Sequence, residues 1–451
     1  MNIRRIVKTA IPKSAFTAIE PLGHKVEAMA FTAKNGFPAR GLKVIAVTGT
    51  NGKTSTCFLI HKMLTESGIK AGLMTTVAYG VGEDIQPQVA HMTTVSVPLL
   101  HQRIKQMKAA GAEWLVLEVT SHALAQHRIW GIPVSVAVMT NITHEHLDYH
   151  GTFEKYRDAK RMLFQQANRN TKGLRIGIVN AEDSSADIFA ADIDNPVRYG
   201  LKKGDIRADK LKLTPSGSSF TAVTGSETYQ ITCHLPGSFN VSNSLAAVAV
   251  GRAVGLTKEQ IERGIAALKT VEGRMERIDE GQDFDVIVDY AHTPDSFEKL
   301  FHDLRPVVKG RLIVLFGSAG RRDEAKRAEQ GKIAGSYADE VVVTEEDDRD
   351  IDGLEIMDQI AAGAEASGKV REKDLFLVHD RREAIAFALR RAKAGDTVIL
   401  LGKGHEKDIL RNGPRAAELR HLPQDDHNPD RVIETPWNEV AETQKILKSL
   451  K

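Results

Sequence analysis

The chain has 451 residues, too many for one hydrophobic core, and suggests two or three domains. Its 61 basic and 59 acidic residues leave a formal charge of +2, so nothing argues for nucleic acid, and any anionic ligand must be held by local groups. Only Cys57 and Cys233 occur, which excludes a disulfide framework or a cysteine zinc site and fits a reducing compartment.

Arg4, Arg5 and Lys8 are not followed by an apolar run of signal-peptide length before Pro12 and Lys13, and no stretch of 18 apolar residues appears anywhere. A cytoplasmic protein without membrane insertion is expected, and a monomer. Residues 14–34 hold Phe16, Ile19, Val26, Met29 and Phe31 among Glu20, Lys25 and Glu27, interrupted by Pro21 and Gly23. They read as a short helix packed on the next domain or as an amphipathic surface anchor.

An apolar run from Val44 then breaks into Gly49-Thr50-Asn51-Gly52-Lys53-Thr54-Ser55, a glycine turn that places Lys-Thr at a helix start. The glycines let backbone N–H groups approach a polyphosphate, Lys53 sets a charge against the outer phosphates, and Thr54 can complete a magnesium shell. The full phosphate-loop pattern wants a glycine where Val47 stands, so this is a shortened variant. By itself it supports an ATP or GTP site and nothing finer.

From there short apolar runs alternate with helix-period segments, which implies a mostly parallel sheet covered by helices. Cys57, Ile60 and Leu64 mark the helix after the loop; strands are predicted at 72–76, 114–119, 134–140 and 175–180, with helices near 98–110 and 153–167. Residues 206–232, rich in Thr and Ser with period-two alternation, read as a small antiparallel appendage, and helices follow at 241–254 and 258–268. After Gly273-Arg274-Met275-Glu276 a second series predicts strands at 284–289, 312–317, 340–344, 375–379 and 397–402, then a helix after Pro436. That is a separate doubly wound unit, expected to meet the first across a cleft.

Glu118 ends the run 114–119, and in a parallel sheet that end borders the ligand crevice. It reads as a magnesium ligand or as a carboxylate capping the turn Thr120-Ser121-His122. Residues 141–151, Asn-Ile-Thr-His-Glu-His-Leu-Asp-Tyr-His-Gly, are dense in metal and phosphate ligands, but their histidines lack zinc spacing. Magnesium with oxygen ligands and one imidazole fits better.

Taken in order, Gly49-Thr50-Asn51-Gly52-Lys53-Thr54, Glu118 with Ser121-His122-Ala123-Leu124, Thr140-Asn141 and His146-Leu147-Asp148-Tyr149-His150-Gly151 resemble the Mur ligases, most of all the tripeptide-forming branch. The likeness continues through Leu235-Pro236-Gly237-Ser238-Phe239-Asn240-Val241-Ser242-Asn243, Gly273-Arg274-Met275-Glu276, Asp289-Tyr290-Ala291-His292-Thr293-Pro294 and Gly402-Lys403-Gly404-His405-Glu406. The resemblance implies an ATP- and Mg2+-dependent acid–amino-acid ligase of peptidoglycan precursor synthesis, acting through an acyl phosphate on a muramoyl-peptide-like acceptor. Residues 1–43 read as a short, partly helical segment; the resemblance implies a central P-loop ATPase domain 44–275 and a Rossmann-like domain 276–451 that binds the incoming amino acid.

Carried over residue by residue, the resemblance makes Lys53, Glu118, His146 and Lys160 catalytic, with Thr54, Glu118, His146 and a carbamylated Lys160 as metal ligands. A solvated helix lysine is the plain reading of Lys160 without it. Nucleotide binding is carried to Gly49, Thr50, Asn51, Gly52, Lys53, Thr54, Ser55, Asn141, Asn243, Arg274 and His292. Acceptor contacts fall on Thr93, Thr94, Thr120, Gln126 and Arg128, and amino-acid contacts on Arg322, Arg349, Gly402 and Glu406.

The chain departs from that pattern in three places. The 43 residues before Val44 are too few for an independent uridine-nucleotide domain. Glu346-Asp347-Asp348-Arg349 stands where the diaminopimelate-adding members have Asp-Asn-Pro-Arg, and the acidic run 345–350 favours a cationic side chain such as that of diaminopimelate or lysine. Thr94 is followed by Val95 instead of Pro, and Gly320-Arg321-Arg322-Asp323 replaces a more glycine-rich turn. Rival readings are a folylpolyglutamate-type or other peptide ligase, and a nucleotide-binding module without catalysis.

Overall fold

The structure is a computed structural model that describes residues 13–88, 92–214, 216–422, 424–426 and 428–450, with the side chains of all of these but 13–22 and 148. Arg4, Arg5 and Lys8 lie outside the described residues, as do the side chains of Phe16, Ile19 and Glu20. The chain forms two compact units: the first runs to Lys212 and takes in Ser219–Cys233 and Asn240–Leu268, and the second holds Leu213–Ser218, His234–Phe239 and Lys269 onward.

The first unit is built on β1 (Lys43–Thr48), β2 (Ala71–Met74), β3 (Ala78–Val81), β4 (Asp84–Pro87), β5 (Trp114–Glu118), β6 (Val134–Met139), β7 (Ile176–Asn180), β8 (Asn195–Gly200), β9 (Ile206–Thr214), β10 (Gly217–Val223) and β11 (Thr228–Cys233). Their order in one sheet is β11-β10-β9-β8-β7-β6-β1-β5-β2-β3-β4. β1 lies parallel between β5 and β6, so the phosphate loop at its end is flanked by the ends of two parallel strands. β5 and β6 are buried at every position, as expected where helices cover both faces. On one face Val44, Ala46, Leu115, Leu117, Ala137 and Met139 share a core with Leu100 and Ile104 of the helix Val97–Ala109 and with Leu163 and Phe164 of the helix Phe153–Arg169. Gly264 packs so tightly on the helix Lys53–Glu66 that a Cβ there would stand 2.6 Å from Met63 Cα.

The second unit carries β12 (Glu276–Ile278), β13 (Asp285–Asp289), β14 (Leu312–Phe316), β15 (Glu340–Val343), β16 (Leu375–Leu377) and β17 (Thr397–Leu401) in the order β12-β13-β17-β14-β15-β16, all parallel except β12. Period-two alternation divides its core. Leu312, Val314 and Phe316 face the helices Pro294–Leu304 and Gly353–Ala366, while Ile313 and Leu315 face Arg381–Arg391 and Glu439–Ser449. A hairpin of β18 (Asp408–Asn412) and β19 (Val432–Pro436) completes it.

Three expectations change. The segment 14–34 is one helix, Lys13–Lys34, continuous through Pro21 and Gly23. Its C-terminal half packs on the first unit: Thr32 Oγ1 lies 3.3 Å from His101 Nε2, and a Cβ on Gly131 would meet Thr32 at 2.9 Å. Among the described residues no helix is long and apolar enough to cross a membrane. The antiparallel appendage is joined to the main sheet: β9 pairs in parallel with β8 and carries β10 and β11 onto the same sheet edge. The turns between β9, β10 and β11 are too short for parallel crossovers, so these strands run antiparallel. The hairpin of β3 and β4 and the strand β8, with Pro196 inside it, gave no apolar run to detect.

Candidate functional site

In the first unit the phosphate loop is held by its neighbours' backbone and hydroxyls. Gly49 has φ +150° and Gly52 φ +81°, and Gly52 ends the loop as the residue before the helix Lys53–Glu66. A Cβ on Gly49 would lie 1.9 Å from Thr140 Oγ1, and one on Gly52 would lie 2.5 Å from Asn243 Oδ1, so both positions exclude any side chain. Asn141 grips the loop from β6: its carbonyl accepts from Thr50 N at 2.7 Å, its Oδ1 accepts from Asn51 N at 3.0 Å, and its Nδ2 donates to Asn51 O at 3.0 Å. Thr50 Oγ1 accepts from Thr143 N at 2.9 Å and meets Tyr156 OH at 2.9 Å. Thr54 and Ser55 are buried in the first helical turn.

Glu118, 1% exposed, ends β5 beside this loop. Its carboxylate accepts from Thr54 Oγ1 at 3.0 Å, Thr76 N at 2.9 Å and Thr76 Oγ1 at 3.0 Å. It does not cap the turn after β5, since Thr120 Oγ1 does that by accepting from Ala123 N at 3.2 Å. Lys53 Nζ donates to Thr50 O at 2.7 Å. Lys160, 2% exposed, donates to Gly49 O at 2.6 Å and lies 4.7 Å over the Tyr156 ring. Burial, and then the charge of Lys53, hold its amine well below the ordinary lysine pKa. It is not a solvated helix lysine. His146 has a left-handed backbone, with φ +55°, and its ring packs edge-on against His122 at 4.7 Å.

The residues expected to contact the acceptor form a second group on the same edge. Thr76 Oγ1 and Thr93 Oγ1 lie 2.9 Å apart, Thr94 Oγ1 accepts from Thr120 N at 3.1 Å, and Arg128 donates to Thr94 O at 2.8 Å and to Gln126 Oε1 at 2.9 Å. Thr76 and Tyr156 were not singled out from the sequence. Thr76 sat at the end of a predicted strand on the ligand side, which was signal enough.

The second unit gathers a different chemistry at the C-terminal ends of its strands. Asp289 accepts from Met275 N at 2.7 Å and Ala291 N at 2.8 Å, tying Arg274 and His292 into one turn system; Arg274 lies 4.4 Å over the Tyr290 ring, and His292 Nδ1 is 2.9 Å from Tyr290 O. Glu406 receives Tyr290 OH at 3.2 Å and Lys403 Nζ at 2.6 Å, and Lys403 also reaches Asp347 at 2.9 Å. Gly402, φ +99°, lies against Glu346. Arg349 is buried and donates to Gly320 O at 3.0 Å and Asp426 at 3.2 Å, whereas Arg322 is exposed and pairs with no described residue. Lys403, Asp347 and Tyr290 stood inside quoted motifs but were given no role, and His379 was not singled out, because their pairings join distant parts of the chain.

Residues 47–251 match the model of the Mur ligase middle domain, and residues 273–404 match that of the Mur ligase glutamate ligase domain. A UDP-N-acetylmuramyl-tripeptide synthetase of Roseiflexus sp. (strain RS-1) is 40% identical over 427 residues, covering 92% of this chain and 80% of that protein. The chain belongs to the Mur ligase family. A solved UDP-N-acetylmuramoyl-L-alanyl-D-glutamate--2,6-diaminopimelate ligase superposes with TM-score 0.63 at 27% identity, covering 96% of this chain and 83% of that one. A Mycobacterium tuberculosis folylpolyglutamate synthase superposes with TM-score 0.69 at 18% identity, over 89% of this chain and 95% of that one, which shows a shared Mur ligase fold alone. The phosphate loop, Glu118 and Lys160 all fall inside the matched middle domain.

Proposed function

We propose that this Mur ligase joins an amino acid to the free carboxylate of a UDP-muramoyl-dipeptide-like acceptor with hydrolysis of ATP to ADP and phosphate, in the cytoplasm. Residues 44–275 activate the acceptor, and residues 276–451 hold the amino acid. One observation carries the reading: a buried carboxylate and a buried lysine, its amine held well below the ordinary pKa, both stand at the phosphate loop, Glu118 against Thr54 and Lys160 against Gly49.

The residues present fit magnesium. Thr54 and Glu118 offer hard oxygen ligands at one point, a Lys160 carbamate would add two oxygens, and the His146 imidazole is the further ligand the family resemblance would supply. When bound, the ion neutralises charge on the transferring phosphoryl group and its acceptor oxygen. Lys160 suits carbamylation because burial favours the neutral, nucleophilic form of its amine: the nitrogen lone pair adds to carbon dioxide, one N–H proton leaves to solvent, and an anion replaces the amine.

Lys53 and the loop N–H groups hold the terminal phosphates so that the acceptor carboxylate, set by Thr94, Thr120, Gln126 and Arg128, attacks phosphorus in line. The acyl phosphate then receives the amine held at Gly402 and Glu406. The C–N bond forms, the C–O bond to phosphate breaks, and the amine's proton leaves to solvent. The same cations stabilise the tetrahedral oxyanion. The test is ADP release with UDP-muramoyl dipeptide and a panel of amino acids. Release that depends on both supports the reading; release with a folyl acceptor instead, or none with any pair, overturns it.

A further inference from the structure

The helix Lys13–Lys34 carries its apolar residues on the side away from the protein. Its inner face is set by Ala28 and Thr32, each 1% exposed, with Thr32 against His101 and the Phe31 ring 5.4 Å from that imidazole. The opposite face of a surface helix is ordinarily charged or polar. Here the outward positions are Val26, 58% exposed, and Met29, 40% exposed, together with the exposed Ala30 and Ala33. Their spacing of three and four sets them in one stripe along the helix. In sequence the same spacing runs back through Leu22 and Ile19. Beyond the helix the stripe is continued by Phe37, 42% exposed, whose ring lies 6.2 Å from that of Trp130.

Cations edge this stripe. The helical period of about 100° per residue places Lys25 and Lys34 on opposite flanks of it. Lys25, Lys34 and Arg40 are exposed and enter no ion pair with a described residue. Lys105 and Lys108 of the helix Val97–Ala109 join them at the far end, where Lys105 Nζ donates to Asn35 Oδ1 at 3.1 Å and Lys108 Nζ to Arg40 O at 2.7 Å. Glu27 is the one acid in residues 23–40. The imbalance continues in the sequence, since Arg4, Arg5, Lys8 and Lys13 are opposed only by Glu20, while the whole chain balances at +2 and the remainder is therefore net acidic.

An apolar strip with lysines on both flanks and an aromatic pair at one end suits the boundary between lipid headgroups and acyl chains. Apolar side chains enter, lysine stems reach back to phosphates, and an indole sits at headgroup level. A second copy of the chain fits less well, because a two-fold contact through this face would set the same cations against one another.

We propose that the outward face of the helix Lys13–Lys34 docks this protein on an anionic lipid surface, with the helix lying in the plane of the headgroups. The inference goes beyond the ligase reading and does not depend on it. With few apolar side chains engaged, the attachment is reversible and salt-dependent.

The experiment is co-sedimentation of the full chain with vesicles of phosphatidylcholine alone or mixed with an equal part of phosphatidylglycerol. Partition should be at least about 10-fold higher on the anionic vesicles, the worth of a few cations near such a surface. It should collapse between about 0.05 and 0.5 M salt as the screening length shrinks. Val26→Asp with Met29→Asp, at two exposed positions that leave the inner face intact, should cut binding to anionic vesicles about 10-fold or more with the melting temperature unchanged. Lys25→Glu with Lys34→Glu should weaken binding as well and flatten its salt dependence. Equal binding to both vesicle types, binding untouched by either pair of substitutions, or no binding at all would overturn the inference. So would a dimer in sedimentation velocity that Val26→Asp with Met29→Asp dissolves, since the face would then belong to a second copy.

Discussion

The two ligand edges of this protein are made of different materials. At the first, a loop is held by carbonyls, amides and hydroxyls from Thr140, Asn141, Thr50 and Thr76, with Lys53, Glu118 and Lys160 bonded directly to its residues. At the second, charges hold one another: Arg381 with Glu439, Arg411 with Glu345, Lys403 with Asp347 and Glu406. The first edge is thus sensitive to shape and the second to charge balance. A polyphosphate needs N–H groups at close range, which glycine and short polar side chains give. A zwitterion needs separate cations and anions, which must be kept apart by other charges.

The sharpest way to break that contrast is to unbalance the second edge. Arg381 and Glu439 are both wholly buried, and the guanidinium also donates to Leu401 O at 2.8 Å and Glu345 O at 3.0 Å. Arg381→Met should cost about 3–5 kcal/mol in urea unfolding, because Glu439 is left charged and unpaired, and adding Glu439→Leu should recover most of it. Equal loss in the single and double variants would show that the arginine's backbone contacts matter more than its charge.

Lys160 tests the charged groups of the first edge. Lys160→Ala should lower turnover about 100- to 1,000-fold while leaving unfolding cooperative, and formate or acetate should restore part of it by replacing the carbamate's oxygens. Depletion of bicarbonate should inhibit wild type and not the variant. Unchanged ADP release in Lys160→Ala would remove the carbamate from the mechanism.

A smaller effect separates shape from charge. Gly52→Ala meets both a left-handed backbone and Asn243 Oδ1 at 2.5 Å. The backbone strain is about 1–2 kcal/mol, and the collision adds to it. The double variant with Asn243→Ala should regain only the collision's share, read as a difference in melting temperature. Full recovery would mean that glycine is needed there for space and not for its φ.

This contrast also explains what the sequence could disclose. Gly49, Gly52, Lys53 and Thr54 are adjacent in the chain, and Glu118 ends a run of apolar residues, so the rule that ligands border the carboxyl ends of parallel strands placed them before any coordinates. Strands such as β5, β6 and β14, buried at every position, stood out for the same reason. The strands β3, β4 and β8 have half-polar patterns, β4 and β8 with a proline, and went unseen. The acidic run 345–350 looked like available negative charge. Its partners Arg411, His379, Lys403 and Arg321 come from elsewhere in the chain, so the neutralisation of Glu345, Asp348, Asp347 and Asp350 was invisible to composition.

The smallest effect sets the two units against each other in pH. His61 in the first unit is 5% exposed, with Nε2 3.0 Å from Ala71 O, and burial lowers its pKa to about 4. The unfolded chain then binds the proton more tightly, so stability is full above the ordinary histidine pKa of about 6.5 and falls as pH drops from there toward 4. His379 in the second unit is raised by its hydrogen bond to Asp348. Here the folded chain binds the proton more tightly, so the contribution is full below about pH 6.5 and is lost as pH rises through the folded value; being half-exposed, it amounts to less than about 1 kcal/mol. Hydrogen exchange of the whole protein at pH 5, 6.5 and 8 should therefore show protection falling toward acid in the helix Lys53–Glu66 and toward base around β15 and β16. His61→Gln should flatten the first slope and His379→Gln the second; the same slope in both units would mean that a group other than these two histidines governs the response.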